Sequence, residues 1–151
     1  MMPGDVGKWA IGGILKHLSA LTAISSPTVN SYRRLWDTGF WAPVFADWGF
    51  QNRTTGLRIS APGRFEYRAV DSMVNPYIMA GAILRAADDG IRNKIDPGQP
   101  EERNIYAAME AGKQVKKLLD MRAVIGAVED AFKHKGLGKV QMPAKLAVKG
   151  A

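Results

Sequence analysis

The stretch NRTTGLRISAPGRFEYR, residues 52–68, holds two runs of alternating polarity on either side of a turn. The runs LRIS and RFEYR flank Ala-Pro-Gly at residues 61–63, and this arrangement is typical of a β-hairpin. Successive side chains of a strand point to opposite faces of the sheet. Arg64, Glu66 and Arg68 therefore share one face, and we expect the phenylalanine and tyrosine between them to pack on the other.

Arginines recur throughout the segment around this hairpin, residues 30–77. They lie in the sequences NSYRRL, NRTTGLRIS and GRFEYR, and Glu66 is the one glutamate of the segment. The guanidinium group is planar, keeps its charge and matches phosphate and carboxylate oxygens. The segment therefore predicts a site for an anionic ligand. The plain alternative is a set of solvated charges and surface ion pairs.

Upstream of the hairpin, residues 8–24 carry apolar side chains at helical spacing around the pair Gly12 and Gly13. A Ser-Ser-Pro cluster follows and ends the predicted helix. Residues 42–50 alternate in polarity and predict a further strand, so the strands are expected to form a β meander or hairpin.

Downstream, Asn75 and Pro76 predict the start of a long helix, because asparagine is a good N-cap and proline fits the first helical turn. Apolar residues recur at helical spacing along it, from Tyr77 through Leu84 to Ile91, and Asp-Pro-Gly at residues 96–98 ends that helix. Further helices are predicted over residues 101–117 and 121–134. Antiparallel strands packed with helices, followed by a helical extension, indicate the α+β class.

The composition limits the kinds of chemistry and the cellular locations that fit the protein. The chain has 151 residues, 46% of them hydrophobic, and 21 basic against 14 acidic residues give a net charge of +7. Cysteine is absent, which excludes disulfides and thiolate chemistry. No window reaches the roughly 18 apolar residues that a membrane span needs. We expect a cytoplasmic protein without a membrane partner.

Residues from about 9 to 118 resemble the C-terminal part of the catalytic domain of the glutamine synthetase family. The resemblance rests on NSYRRL, FWAPV, NRTTGLRIS, GRFEYR and NPY, which occur in the family's order. It implies an ATP-dependent ligase that joins glutamate to ammonia or a small amine through γ-glutamyl phosphate. It also implies Mg²⁺ or Mn²⁺ as cofactor and large homo-oligomers, and it gives no reason to expect a nucleic-acid partner.

The resemblance also implies roles for the arginines. Arg34 occupies the place of an arginine that contacts the glutamate substrate, and Arg68 resembles the arginine that holds the substrate carboxylate. Arg53, Arg58 and Arg64 match arginines that neutralise the phosphates of ATP. Arg34 and Arg53 are the catalytic candidates of this set.

Two further positions carry family roles. Glu66 matches a ligand of the divalent metal, a role that suits a hard oxygen donor. Trp41 stands at the flap position, where ordinary members carry a glutamate that helps to deprotonate ammonium. The sequence FWAP resembles the γ-glutamylmethylamide synthetase-like branch, in which methylamine replaces ammonia.

The remaining family metal ligands would lie upstream of the matched segment. One glutamate cannot supply the six or more oxygen ligands that each hard cation prefers. We therefore expect the chain to be inactive alone. The competing hypothesis is a noncatalytic fragment that binds nucleotide or polyanions by charge. His17 is a weaker candidate, because a helix residue with no predicted carboxylate partner is expected to be structural.

Residues 119–148 resemble the N-terminal segment of the ornithine cyclodeaminase and μ-crystallin family. This divides the chain into a ligase-like part, 1–118, and a helix with a basic tail, 119–151. A fusion or a frameshifted segment would explain the junction, and a generic amphipathic helix is the alternative.

Overall fold

The computed structural model describes residues 4–28, 31, 42–43 and 45–112. Within these ranges, helices pack on one small sheet, which confirms the α+β class. The helices are α1 (Asp5–Lys16), α2 (Leu18–Ser25), α3 (Pro76–Arg92) and α4 (Ile105–Glu110), and the strands are β1 (Trp48–Phe50), β2 (Leu57–Ala61) and β3 (Arg64–Tyr67).

The predicted hairpin is present as strands β2 and β3, which pair antiparallel. Gly63 has a φ of +71° in the turn between them, a conformation that glycine adopts without steric cost. The ladder shifts register between Ile59 and Ala61, next to this turn. The hairpin therefore forms where the Ala-Pro-Gly signal places it.

Strand β1 differs from the prediction in length and direction. It covers three residues and runs parallel to β2, so the sheet is mixed and the meander prediction is wrong at this strand. Gln51, with a φ of +52°, follows β1 directly, and its N–H donates to the Ile59 carbonyl at 3.0 Å. This local bend turns the chain away from β1 before it returns as β2.

The predicted helix over residues 8–24 is two helices. His17 separates α1 from α2 with a φ of −97° and a ψ of 7°, outside the helical range. Its carbonyl still accepts from the Leu21 N–H at 2.9 Å, so α2 continues without a long connection. The predicted end of the helical region at Ser-Ser-Pro is confirmed, because α2 ends at Ser25.

Helices α1 and α3 cross with their backbones in contact. A Cβ on Gly13 would collide with the Ala86 carbonyl and the Gly90 backbone, and a Cβ on Gly90 would collide with the Trp9 carbonyl. The glycines therefore allow an approach that alanine would prevent. This close crossing fixes α3 against α1, and side chains of both helices share one core cluster with strands β1 and β2.

Asn75 caps α3 as predicted. Its side-chain oxygen accepts from the N–H groups of Tyr77 and Ile78 at 3.1 and 3.3 Å, and Pro76 stands at the first helical position. The apolar face predicted for this helix is only partly buried. Tyr77 is 87% exposed and Leu84 is 70% exposed, whereas Met79 is buried.

The core lies between the α1–α3 pair and the sheet. Its main cluster is formed by buried apolar side chains from α1, α2, α3 and strands β1 and β2: Ile11, Ile14, Leu21, Trp48, Leu57, Ile59, Met79 and Ala86. The cluster also includes partly buried Phe50 and Tyr67. Its position fixes the hairpin relative to the helices and leaves the opposite face of the hairpin available for polar groups.

Candidate functional site

Arg58 and Glu66 form the centre of the candidate site. They are direct cross-strand partners in the β2–β3 ladder, so their side chains emerge next to each other. Arg58 Nη1 donates to both carboxylate oxygens of Glu66, at 3.0 and 3.3 Å. The Arg58 side chain is 18% exposed and that of Glu66 is 33% exposed. The pair is therefore partly shielded from solvent, which strengthens its attraction.

Arg64 approaches the same carboxylate from the turn end of the hairpin. Its Nη2 donates to Glu66 Oε1 at 3.3 Å, and its Nε donates to Ser60 Oγ at 2.9 Å. The Arg58 guanidinium, followed by Ser60 and Arg64, lowers the pKa of Glu66 against the opposing effect of burial. The structure thus brings together three of the residues predicted for the site.

Gln51 completes this cluster and was not predicted. Its Oε1 accepts from Arg58 Nη2 at 2.6 Å, and its Nε2 donates to the Ser60 carbonyl at 2.6 Å. Both terminal nitrogens of Arg58 are therefore in use. Arg58 Nε is buried and has no hydrogen-bond partner within the described part of the chain. No sequence signal singles out Gln51, because its role depends on the bend after β1.

Arg53 lies on the turn between β1 and β2, which buried polar groups anchor. Asn52 Nδ2 donates to the carbonyls of Glu101 and Arg103 at 2.8 and 2.9 Å. Thr54, 2% exposed, donates to Asn52 Oδ1 at 2.6 Å and accepts from the Ile105 N–H at 3.2 Å. The exposed Arg53 is thus displayed on a firmly held turn.

Arg68 extends the positive surface past the end of β3. Its Nη1 donates to the Arg53 carbonyl, which ties the two predicted anion-binding arginines to one turn. Burial lowers the pKa of the Arg68 guanidinium, and the nearby Tyr106 opposes this effect. Arg58 and Arg53 add like-charge repulsion that also lowers it. Arg68 therefore lies close enough to Arg53 and Arg58 for their charges to act on it.

The other two predicted site residues, Arg34 for the substrate and Trp41 for the flap, lie outside the described residues. The same holds for the segment 119–148 and its likeness to a second family. The arginines and the glutamate of the hairpin and its preceding turn are therefore the part of the predicted site that the structure brings together.

The donor set does not amount to a metal centre. Among the described residues, no group of three or more histidine, aspartate or glutamate side chains is placed to hold an ion. Glu66 alone falls short of the oxygen ligands that Mg²⁺ or Mn²⁺ requires, and its carboxylate already accepts from two arginines. Further carboxylates would have to come from outside the described residues.

His17 has a carboxylate partner, contrary to the prediction. Its Nε2 lies 2.8 Å from Asp89 Oδ2, and Lys16 Nζ lies 3.1 Å from the same oxygen. The hydrogen bond from His17, followed by that from Lys16, lowers the pKa of Asp89. The sequence could not indicate this pair, because 72 residues separate its members. It joins the α1–α2 junction to α3, on a different part of the molecule from the arginines.

Every helix in the described ranges is too short or too polar to cross a bilayer.

Comparisons with known proteins agree on one family. A profile of the glutamine synthetase catalytic domain matches residues 2–139. Proteins described as glutamine synthetase from Sulfolobus acidocaldarius and Pyrococcus furiosus are 44% and 42% identical to this chain over 135 and 134 residues. The alignments cover 85% and 86% of this chain and 28% and 30% of those relatives. The chain therefore spans less than a third of their length.

Solved structures give the same result. A complex of GmaS with ADP superposes with a TM-score of 0.74 at 35% identity, covering 89% of this chain and 33% of that one. GmaS without ligand gives a TM-score of 0.72 at 36% identity, over 89% and 31% of the two chains. GmaS is a γ-glutamylmethylamide synthetase, from the branch that the FWAP motif resembles.

The profile continues past residue 118, where the sequence alone predicts a boundary. That boundary and the origin of the tail stay predictions. The profile match covers most of the chain, and both relatives exceed two fifths identity. By sequence and by fold, this chain belongs to the glutamine synthetase catalytic-domain family.

Proposed function

We propose that this chain carries the arginine half of the active site of an ATP-dependent glutamate–amine ligase. In such a reaction, phosphate passes from ATP to the γ-carboxylate of glutamate, and an amine then displaces it to give an amide. Catalysis of phosphoryl transfer consists mainly of positioning and of neutralising charge on the phosphate oxygens. A cluster of fixed guanidinium groups is suited to both tasks.

The observation that carries this proposal is the arrangement of Arg53, Arg58, Arg64 and Arg68 on one hairpin and the turn before it. Asn52 and Thr54 anchor that turn, and the β2–β3 ladder fixes Arg58. Guanidinium groups held by the backbone ladder and by an anchored turn lose little conformational freedom when they meet an anion.

We assign Arg53, Arg58 and Arg64 to the phosphates of ATP. Arg68 and Arg34 are assigned to the glutamate carboxylates, and Trp41 to the side of the pocket that receives ammonia or methylamine. Arg34 and Arg53 are the proposed catalytic pair. The similarity to GmaS favours a small alkyl amine for the last step. Trp41 favours it too, because an indole ring cannot accept a proton from ammonium.

The metal of this family is not accounted for by the described residues. Because Glu66 is a single carboxylate held by two arginines, we derive no step through Mg²⁺ or Mn²⁺. For the same reason we expect the chain by itself to bind nucleotide without turnover. A cytoplasmic location and assembly into a large homo-oligomer also belong to this proposal.

A noncatalytic role is the second candidate. The closed ion pairs between Glu66 and its arginines favour it, because they resemble a stable surface more than an open metal site. In that case, nucleotides or other polyanions would bind by charge alone. Such binding falls steeply with salt and needs no metal.

The two candidates are separated by an assay of the purified chain with ATP, glutamate and either ammonium or methylamine. Amide formation and phosphate release are measured with Mg²⁺ and with a chelator. The proposal predicts ATP binding that glutamate strengthens and that Mg²⁺ strengthens, with no amide formed. Salt-sensitive ATP binding that neither glutamate nor Mg²⁺ strengthens would contradict the proposal and favour the noncatalytic role.

A further inference from the structure

The carboxylate of Glu66 lies where the arginines would meet an anionic ligand. It accepts from Arg58 Nη1 at 3.0 Å and from Arg64 Nη2 at 3.3 Å. A carboxylate and a phosphate both present oxygens that match the guanidinium fork. Glu66 therefore uses donors that phosphate oxygens would otherwise use.

Each of the two arginines also donates from a second nitrogen to a neighbouring side chain. Arg58 Nη2 donates to Gln51 Oε1 at 2.6 Å, and Arg64 Nε donates to Ser60 Oγ at 2.9 Å. These contacts keep each guanidinium turned towards Glu66. The closed arrangement is therefore maintained by four side chains, and it does not depend on the ion pairs alone.

The Glu66 carboxylate also reduces the positive charge that a further anion would meet. Two cations and one anion give the trio of Arg58, Arg64 and Glu66 a charge of +1. An anion that approaches Arg64 meets a guanidinium whose charge is partly cancelled by its neighbour. Removal of the Glu66 charge would leave +2 in the same small volume and would weaken the hydrogen bonds that occupy donors of both arginines.

We infer that Glu66 acts as an internal counter-anion that competes with phosphate for Arg58 and Arg64, so that polyphosphate binding requires its displacement. This inference rests on the proposed function, because it concerns the same phosphate-binding arginines. It differs from the metal-ligand role that the family resemblance assigns to Glu66. In this chain, Glu66 lowers the affinity of Arg58 and Arg64 for anions, and this effect requires no metal.

The test is a calorimetric titration with inorganic tripolyphosphate in the presence of a chelator, comparing the wild-type chain with Glu66→Gln. Glutamine keeps the shape of the side chain and loses its charge. We expect Glu66→Gln to bind tripolyphosphate about five- to tenfold more tightly, as one unit charge a few ångströms away implies at partial exposure. The gain should shrink as salt is raised.

Asp88→Asn is the matched control. Asp88 is also a carboxylate between two arginines, Arg85 and Arg92, and its side chain is 38% exposed against 33% for Glu66, but it lies on α3 and not on the hairpin. Asp88→Asn should leave tripolyphosphate binding unchanged, because Arg85 and Arg92 are not part of the proposed phosphate site.

Glu66→Asp is the second variant. It keeps the charge and should stay within about twofold of wild type, because the attraction that competes with phosphate remains. Circular dichroism confirms that each variant folds.

Unchanged or weaker tripolyphosphate binding by Glu66→Gln overturns the inference, as does equal tightening by Glu66→Asp or Asp88→Asn. Absence of tripolyphosphate binding in both the wild-type and Glu66→Gln chains overturns it as well. A parallel titration with ATP separates this result from the proposed function. Tighter tripolyphosphate binding by Glu66→Gln without any preference for ATP would support the inference and contradict the nucleotide role. ATP binding that Glu66→Gln leaves unchanged would support the nucleotide role and contradict the inference.

Discussion

Arg58 and Glu66 face each other across the β2–β3 ladder, and Arg58 Nη1 lies 3.0 Å from Glu66 Oε2. The pair links the fold to the proposed chemistry, because the register that packs Leu57 and Ile59 into the core also places these two charges side by side. A shift of one residue in this register would send every side chain of β3 to the other face. The site therefore depends on the hairpin turn as much as on the charged residues.

The first prediction concerns the backbone contact between α1 and α3. Gly90→Ala should destabilise the protein by about 2–3 kcal/mol or more, because its Cβ would meet the Trp9 carbonyl and the Gly13 backbone. Urea unfolding followed by circular dichroism measures the change. Gly81→Ala, on the same helix but with open space around its Cβ, should instead stabilise by about 0.5–1 kcal/mol. Equal effects of the two substitutions would refute the close crossing.

The second prediction concerns the turn that carries Arg53. Thr54→Val should cost about 1–3 kcal/mol of unfolding free energy, because it leaves the Ile105 N–H and Asn52 Oδ1 without their hydroxyl partner. Thr54→Ser keeps the hydroxyl, and loss of one methyl group should cost only about 1 kcal/mol. Chemical denaturation of both variants gives the comparison. If serine cost as much as valine, the hydroxyl would not be the anchor.

The third prediction is a pH dependence from Asp89. His17 and then Lys16 lower its pKa in the folded state. A carboxylate with a lowered folded-state pKa contributes stability above its unfolded value, and this contribution is lost as the pH falls through the folded value. Asp89→Asn should therefore be less stable than wild type at neutral pH, and the difference should shrink as the pH approaches 3. Unfolding curves between these limits measure it, and a difference that is constant with pH would contradict the assignment.

The fourth prediction tests the place of Gln51 beside Arg58. Gln51→Ala removes an acceptor from Arg58 Nη2 and a donor to the Ser60 carbonyl. Arg58 then loses a contact that orients it, so Gln51→Ala should bind ATP more weakly than wild type. Calorimetric titration of wild type and Gln51→Ala with ATP gives the result. Equal ATP affinity of wild type and Gln51→Ala would show that Arg58 needs no such support.

Much of the hairpin and of α3 could be predicted from local signals. The Ala-Pro-Gly turn and the alternating runs predicted β2 and β3, and the Asn75-Pro76 start predicted α3 with the correct cap. These features depend on neighbours in the sequence. The alternation in β3 also predicted that Arg64 and Glu66 meet on one face, which their contact confirms.

Features that join distant parts of the chain could not be predicted. The parallel pairing of β1 depends on the bend at Gln51, and the His17–Asp89 contact joins residues far apart in sequence. Tyr77 and Leu84 matched the helical period of α3 yet are exposed, because the core covers only the opposite side of that helix. Arg34 and Trp41 lie outside the described residues, so their roles stay predictions.

Binding of ATP phosphates by the arginines of the hairpin is measured by calorimetric titration of the purified chain with ATP, alongside Arg64→Gln and Arg92→Gln. Both arginines are exposed and paired with a carboxylate, but only Arg64 belongs to the proposed site. We expect about tenfold weaker ATP binding for Arg64→Gln, because charge-assisted hydrogen bonds are lost, and wild-type affinity for Arg92→Gln. Equal ATP affinity in the two variants, or no ATP binding by the wild-type chain, would contradict it.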